Sequence, residues 1–379
     1  MIAAETSLPA TATDDARFMA LALSLGRRGL GNTWPNPAVG AVIVRDDGGG
    51  PVIVGRGWTQ PGGRPHAETE ALRRAGAAGK HSTMYVTLEP CSHHGKTPPC
   101  ADAIIAAGIG RVVAALEDAN PEVAGQGHAR LRAAGIAVSV GEGAAEARRD
   151  HAGHFRRMRE GRPQVTLKLA VSADGKAGLV GRKPVAITGE AARARVHRLR
   201  AMNDAILIGI GTALADDPVL TCRLPGMAKR SPVRVVLNAS LRLPLESRLV
   251  QTAQQTPVWV IADTGADAER EKALRSFGVE VLRLPAKGGR VDLAEVLRSL
   301  GKRGITRLLV EGGPIVAGAF IEADLVDEAA LFHSDTLVGA DGIDAIEGHG
   351  VEALTRSPRL RRIDSEAIGV DRLETFERM

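Results

Sequence analysis

The stretch from His66 to Cys100 constrains this chain more than any other. It opens PHAETEAL and closes TLEPCSHHGKTPPC, and it holds His66, Glu68, Cys91 and Cys100. Imidazole and thiolate are zinc donors, and three of them with one open position make a catalytic site. His66, Cys91 and Cys100 supply three. Glu68 lies two residues past the histidine, near the start of the same expected helix. From there a carboxylate reaches the open position rather than the metal. Both cysteines fall at turn or helix starts, where partial positive charge favours the thiolate.

Two other readings stand beside this one. His93 or His94 as a fourth ligand would close the site and make it structural, or the cysteines are ordinary buried side chains. The combination of H-A-E with P-C in an α/β context favours chemistry, although the second cysteine departs from the zinc-deaminase signature. Zinc deaminases carry H-x-E followed by P-C-x-x-C. Here His66-Ala67-Glu68 and Pro90-Cys91 are intact, and eight residues, SHHGKTPP, separate Cys91 from Cys100. In such a site zinc lowers the pKa of water toward ~7. The carboxylate takes a proton from that water and returns it to the leaving amino group of an aminopyrimidine. Cys222 is read as a small buried side chain.

The 379 residues exceed what one core usually supports, so two domains are expected. Aromatic residues are 3% of the chain, too few for a base-stacking platform, and no nucleic-acid partner is expected. The net charge of +5 suits anionic small molecules and decides nothing alone. Three cysteines cannot build a disulfide framework. No signal peptide and no apolar run of ~18 residues is evident, so no membrane partner and a cytoplasmic location are expected.

Strands are expected at 39–45, 51–58, 83–88, 111–116 and 136–140, with helices from about 66, 99 and 121 between them. This alternation is the mark of an α/β layered fold. Residues 13–146 make the first domain. The charged stretch 147–162, helical in tendency and poor in large apolar residues, reads as a connector, and 163–379 make the second domain. There, strands are expected at 164–171, 205–209, 233–238, 258–262, 279–282, 307–310 and last at 328–333. Helices are expected at 190–200, 266–277, 293–300 and 314–323.

The second half shows cradles for phosphate but no clear nucleophile. Gly209-Ile210-Gly211 is part of a G-x-G-x-x-G whose third glycine is replaced by Leu214, a weak dinucleotide signal. VEGGPIVAGA, residues 310–319, is better: a strand ends, two glycines turn, and a helix begins with Pro314 near its first position. That turn aims backbone N–H groups at a phosphate.

HAETEAL with TLEPCSHHGKTPPC resembles the bifunctional riboflavin-biosynthesis enzymes, a pyrimidine deaminase fused to a reductase, whose hallmark is the widened gap between the cysteines. The likeness extends through NPAVGAVIV, DANPEVAGQGHARL, LKLAVSADGK and VVLNASLRLP, nearly the whole chain from residue 13. It implies a cytidine-deaminase-like α/β/α domain and a dihydrofolate-reductase-like α/β domain. It also implies zinc on His66, Cys91 and Cys100, with Glu68 as proton shuttle. Substrate contacts in the first half would fall at Asn36, His93, Lys96, Asp118 and Asn120. In the second half NADPH contacts would fall at Ala170, Thr212, Asp216 and the turn Gly313, Pro314, Ile315, Val316, Ala317, Gly318 and Ala319. Substrate contacts there would fall at Arg200, Leu220, Arg223 and Glu311, with Lys168 close to the reacting sugar. Arg200 and Arg223 are read as phosphate forks. The chain departs from the family pattern at Arg182, Lys183, Pro184 and Ala186, so contacts assigned to a serine and a tryptophan there do not carry over. The implied partner is a phosphorylated pyrimidine, and self-association is expected because α/β units of this kind commonly form interfaces.

Overall fold

The computed structural model describes residues 12–93, 98–121, 123–180 and 186–379. The chain divides into two compact units, Met1–Gly161 and Arg162–Met379.

The first unit opens with helix α1 (Ala12–Gly26), then strands β1 (Gly40–Asp46) and β2 (Pro51–Trp58). Asp46 Oδ1 closes the turn between these strands by accepting from the Gly48 and Gly50 amides at 2.9 and 3.2 Å. Helix α2 (Ala67–Ala75), β3 (Thr83–Val86), α3 (Cys100–Ala106), β4 (Arg111–Ala114), α4 (Gln126–Ala133) and β5 (Ala137–Val140) follow. The sheet order is β2-β1-β3-β4-β5. Strand β1 is antiparallel to both neighbours, and β3, β4 and β5 are parallel. Ala41, Val42 and Ile43 of β1 are fully buried because helices cover the sheet on both sides. Helix α1 lies so close to β1 that a Cβ at Gly40 would sit 1.9 Å from the Ala22 carbonyl oxygen.

Residues 144–160 form α5 (Ala144–Asp150) and α6 (Ala152–Glu160), and both belong to the first unit. The stretch expected to be a connector is thus mostly folded. It docks through few aliphatic groups: Ala147 is fully buried, and Arg27 pairs with Glu146 and Asp150 at 2.8 and 2.9 Å. His151 and His154 are buried in polar contacts. A helix attached by ions and imidazoles leaves no apolar stripe for the sequence to show.

The second unit runs β6 (Gln164–Val171), β7 (Lys176–Leu179), α7 (Glu190–Ala201), β8 (Ala205–Gly209), α8 (Ile210–Asp216), β9 (Val233–Leu237), α9 (Arg248–Gln251), β10 (Val258–Asp263), α10 (Ala268–Ser276) and β11 (Glu280–Leu284). The short ribbon β12 (Ala286–Lys287) and β13 (Arg290–Val291) comes next, then α11 (Leu293–Lys302), β14 (Arg307–Val310), α12 (Gly313–Glu322), β15 (Glu328–His333), β16 (Gly342–Asp344), α13 (Glu352–Thr355), β17 (Leu360–Ile368) and β18 (Asp371–Arg378). The large sheet has the order β11-β10-β9-β8-β14-β6-β15-β18-β17. It is parallel from β11 to β15, and β18 and β17 are antiparallel.

Strand β15 is therefore not the last. The hairpin β17–β18 went unread because most of β17 is exposed and its sequence, LRRIDSEAI, lacks clean apolar alternation. Helix α8 and the ribbon β7–β16 also went unread. Strands β8 and β14 are neighbours, and both lead into helices at their carboxyl ends, the edge where open parallel sheets bind ligands.

Candidate active sites

Three elements converge on the first site. His66 is the residue that starts α2, Cys91 follows β3 in the turn after Pro90, and Cys100 is the first residue of α3. Their donor atoms all lie within 4.8 Å of one another. His66 Nδ1 is 3.3 Å from Cys100 Sγ and 3.7 Å from Cys91 Sγ. Tetrahedral zinc, with about 2.1 Å to nitrogen and about 2.3 Å to sulfur, sets such separations at about 3.6 Å. The donor set and its spacing fit zinc. Among the described residues no fourth His, Cys, Asp or Glu joins the group. His93 is exposed, and His94 lies outside the described residues.

The thiols are coupled. A hydrogen bond from Cys100 is the largest influence holding the Cys91 thiol down to about 4, and Cys100, which keeps the proton, is raised. Cys91 also receives the Cys100 backbone N–H at 3.3 Å. A metal dication seated here displaces the remaining ligand protons.

Glu68 lies in the first turn of α2 and is 4% exposed. Burial raises its carboxyl to about 7, against the opposing effect of His66. Glu68 interacts electrostatically with His66 and Cys91, which puts its carboxyl beside the metal position. Asn36 donates from Nδ2 to the Gly63 carbonyl at 2.8 Å and lies 3.5 Å from His66 Nε2. Gly63 has φ 84, and a Cβ there would press to 2.7 Å on Asn36 Nδ2. Glycine at this position lets the asparagine face the site. Lys96 lies outside the described residues.

Asp118 accepts at Oδ1 from the Asn120 amide at 2.8 Å, and His154 Nε2 bonds the same oxygen at 3.0 Å. Burial works to raise the Asp118 carboxyl, but His154 and that amide outweigh it and hold it below its ordinary value. His154, on α6, was missed because it sits 36 residues from Asp118 in a stretch that reads as solvent-facing. The D-H-A-G-H-F run at 150–155, two histidines in a charged helix, was the available signal.

The second site is a cavity of about 910 Å³ at the carboxyl ends of β6, β8 and β14. Lys168, Ala170, Thr212, Asp216, Glu311 and Gly313 line it, as do Pro314, Ile315 and Ala186. Arg182, Lys183 and Pro184 lie outside the described residues. Thr212 donates from Oγ1 to the Gly312 carbonyl at 3.0 Å, joining the two strand-to-helix turns. Gly313 has φ 74, and a Cβ there would sit 2.8 Å from Thr212 Oγ1. Helix α12 starts with Pro314 in its first turn and has no side-chain cap, so its first N–H groups are available to a phosphate. The volume is at the upper end for ligand pockets.

The packing bears on three of these readings. Val316, Ala317 and Gly318 are buried in helix packing, and a Cβ at Gly318 would meet the Glu347 carbonyl oxygen at 2.6 Å. Gly313, Pro314 and Ile315 of the first turn are the residues of α12 that line the cavity, because an apolar helix on a sheet turns much of its later surface inward. Leu220 takes φ 57, and its side chain is buried in the core. Arg200 is not a free phosphate fork. Its Nε and Nη2 both donate to Glu311 at 2.9 Å, so each takes up the charge the other would offer a ligand. Arg223 is exposed and forms no ion pair with a carboxylate among the described residues.

Burial works to raise the Glu311 carboxyl, but Arg200 and Lys168 outweigh it and hold it below its ordinary value. Burial lowers the Lys168 ammonium, with Arg200 adding to that and Glu311 opposing it. The Lys168 nitrogen lies 5.8 Å from the Phe332 ring centroid. Changing Arg200 to methionine would leave the Glu311 charge buried without its partner. The second unit is expected to lose about 3 kcal/mol of stability or more, read by urea unfolding of the purified protein.

A family model for the cytidine and deoxycytidylate deaminase zinc-binding region matches residues 12–116. A second, for the RibD C-terminal domain, matches residues 163–373. The riboflavin biosynthesis protein RibD of Escherichia coli (strain K12) is 41% identical over 368 residues, 94% of this chain and 97% of that one. The chain belongs to the RibD family. The Bacillus amyloliquefaciens RibD is likewise 41% identical, over 93% of this chain and 94% of its own. Among solved structures, Acinetobacter baumannii RibD superposes with a TM-score of 0.85 at 34% identity, over 97% of this chain and 99% of that one. A Thermotoga maritima diaminohydroxyphosphoribosylaminopyrimidine deaminase/5-amino-6-(5-phosphoribosylamino)uracil reductase gives 0.82 at 32%, over 96% and 99%. Like other RibD proteins, this is a riboflavin-biosynthesis enzyme that joins a zinc-binding deaminase to a reductase. No helix among the described residues is long and apolar enough to cross a membrane.

Proposed function

We propose that the first unit deaminates 2,5-diamino-6-(5-phosphoribosylamino)pyrimidin-4(3H)-one and that the second reduces the product with NADPH. Hydride passes to C1′ of the ribosyl group, giving the ribityl chain of 5-amino-6-(5-phosphoribitylamino)uracil. The observation that carries the reading is the set of three zinc-type donors within 4.8 Å beside a buried carboxyl.

His66, Cys91 and Cys100 would hold zinc, which supplies Lewis acidity toward a water molecule. Glu68 takes a proton from that water and delivers it to the departing amino group, so that the ring carbon gains oxygen and loses ammonia. Asn36, with its amide nitrogen engaged by Gly63, presents its carbonyl oxygen to the pyrimidine edge. Asp118 and Asn120 bind the substrate from the loop before α4, and His93 and Lys96 from the insert.

In the second unit the cradle of Thr212, Gly313 and Pro314 would hold the NADPH phosphates, with Ala170 and Asp216 along the same cavity. Lys168 keeps a proton beside the reacting sugar, and Glu311 orients it together with Arg200. Arg223 takes the substrate phosphate. The protein works in the cytoplasm as a self-associated enzyme.

Chelation separates the two halves. Given the diaminopyrimidine substrate, the chelated protein is expected to release no ammonia and to consume no NADPH. Given the deaminated product instead, it should consume NADPH at the untreated rate. Persisting ammonia release after complete zinc removal would refute the zinc assignment.

A further inference from the structure

Glu89, the residue before Pro90-Cys91, plays no part in the chemistry described above, yet its side chain is fully enclosed. Four backbone amides point at its carboxylate. Oε2 accepts from Asp118 at 3.1 Å and Gly125 at 2.9 Å. Oε1 accepts from Gly127 at 2.8 Å and His128 at 3.2 Å. All four amides belong to the segment that holds Asp118 and Asn120 and then begins α4. That helix has Gly125 before it and no side-chain cap from its own chain neighbours, so Glu89 caps it from 36 residues away. Glu89, Glu117 and His128 also have ligand atoms within 4.8 Å, the spacing of a metal site. The Glu89 oxygens are already taken by the four N–H groups, which makes this a capping arrangement. The fit is close: a Cβ at Gly127 would lie 2.0 Å from the Pro90 carbonyl oxygen and 3.1 Å from Glu89 Oε1.

One carboxylate thus joins the turn that presents Cys91 to the loop that presents Asp118 and Asn120. We propose that Glu89 is a positioning residue for deamination, setting the substrate loop at a fixed place relative to the metal. The proposal rests on the reading of Asp118 and Asn120 as substrate contacts. Charge-assisted hydrogen bonds to a buried carboxylate are among the stronger ones, so the register they set is firm.

The test uses full-length, zinc-loaded protein and Glu89→Gln. An amide has the same shape, but in either orientation its NH2 faces two N–H donors. Expected are retained zinc and an unchanged reductase rate on deaminated substrate. The deaminase KM should rise by about tenfold, with kcat changed by less than about threefold. A merely structural role would lower the active fraction, and so kcat, at constant KM. An unchanged KM in folded protein overturns the proposal. So does loss of zinc with the fold intact, which would place the effect on Cys91. Combining Glu89→Gln with Asp118→Asn should give less than the product of the single effects, and simple multiplication would show two independent residues. Asp118→Asn alone with a normal KM would remove Asp118 from substrate contact, a separate failure from that of Glu89. If Glu89→Gln does not fold, Glu89→Asp decides. It keeps the charge but falls a methylene short, and a wild-type KM in it overturns the proposal.

Discussion

Changing Glu68 to glutamine is expected to lower ammonia release by about 10³-fold or more while zinc stays bound. Glutamine keeps the size and hydrogen-bonding reach of the side chain but cannot carry a proton between water and the leaving nitrogen. The wild-type group is suited to that work, since burial raises its carboxyl to about 7, where it exchanges protons at neutral pH. The ligands themselves are untouched, so the metal should be retained, as read by zinc analysis of the purified variant. Undiminished deamination would remove Glu68 from the mechanism. Lost zinc would mean that its carboxyl holds the ligands and not the reacting water.

Changing Lys168 to methionine is expected to slow NADPH consumption by about 10²-fold or more with deaminated substrate, leaving ammonia release intact. Methionine has nearly the same length and no charge. It leaves the Arg200–Glu311 pair self-neutral, so the stability loss expected for the arginine change should not occur here. The wild-type pH profile gives a second reading. Burial favours the neutral amine of Lys168, so its proton is lost at a lower pH than that of an ordinary lysine. If the protonated form is the active one, the reductase rate falls on the alkaline side, beginning below the usual lysine range. A profile unchanged by the substitution would show that Lys168 does not titrate in the rate.

Much of the first site was legible because its chemistry is local in the chain. His66 and Glu68 share one helical start, and Cys91 and Cys100 bracket one insert, so the residue types and the family resemblance together named the donor set. The strands Gln164–Val171, Ala205–Gly209, Arg307–Val310 and Glu328–His333 have the bounds their apolar runs predict. Buried parallel strands show themselves in that way. The edge hairpin β17–β18 did not, since most of β17 is exposed and leaves no periodic signal, whereas the stretch 144–160 showed its helical tendency but not what it packs against.

The sequence by itself determined the donor types, the order of the elements and the places where strands turn into helices, because each of these depends on neighbours in the chain. Tertiary structure alone decided who pairs with whom. Arg200 reads as a phosphate fork until Glu311, 111 residues away, takes both of its donors. His154 is one residue of a charged stretch until α6 brings it onto Asp118. Glu89 reads as part of a motif until four distant amides close on it. A charged side chain seeks any complementary group within a few ångströms, and which group that is depends on how the sheet and its helices pack.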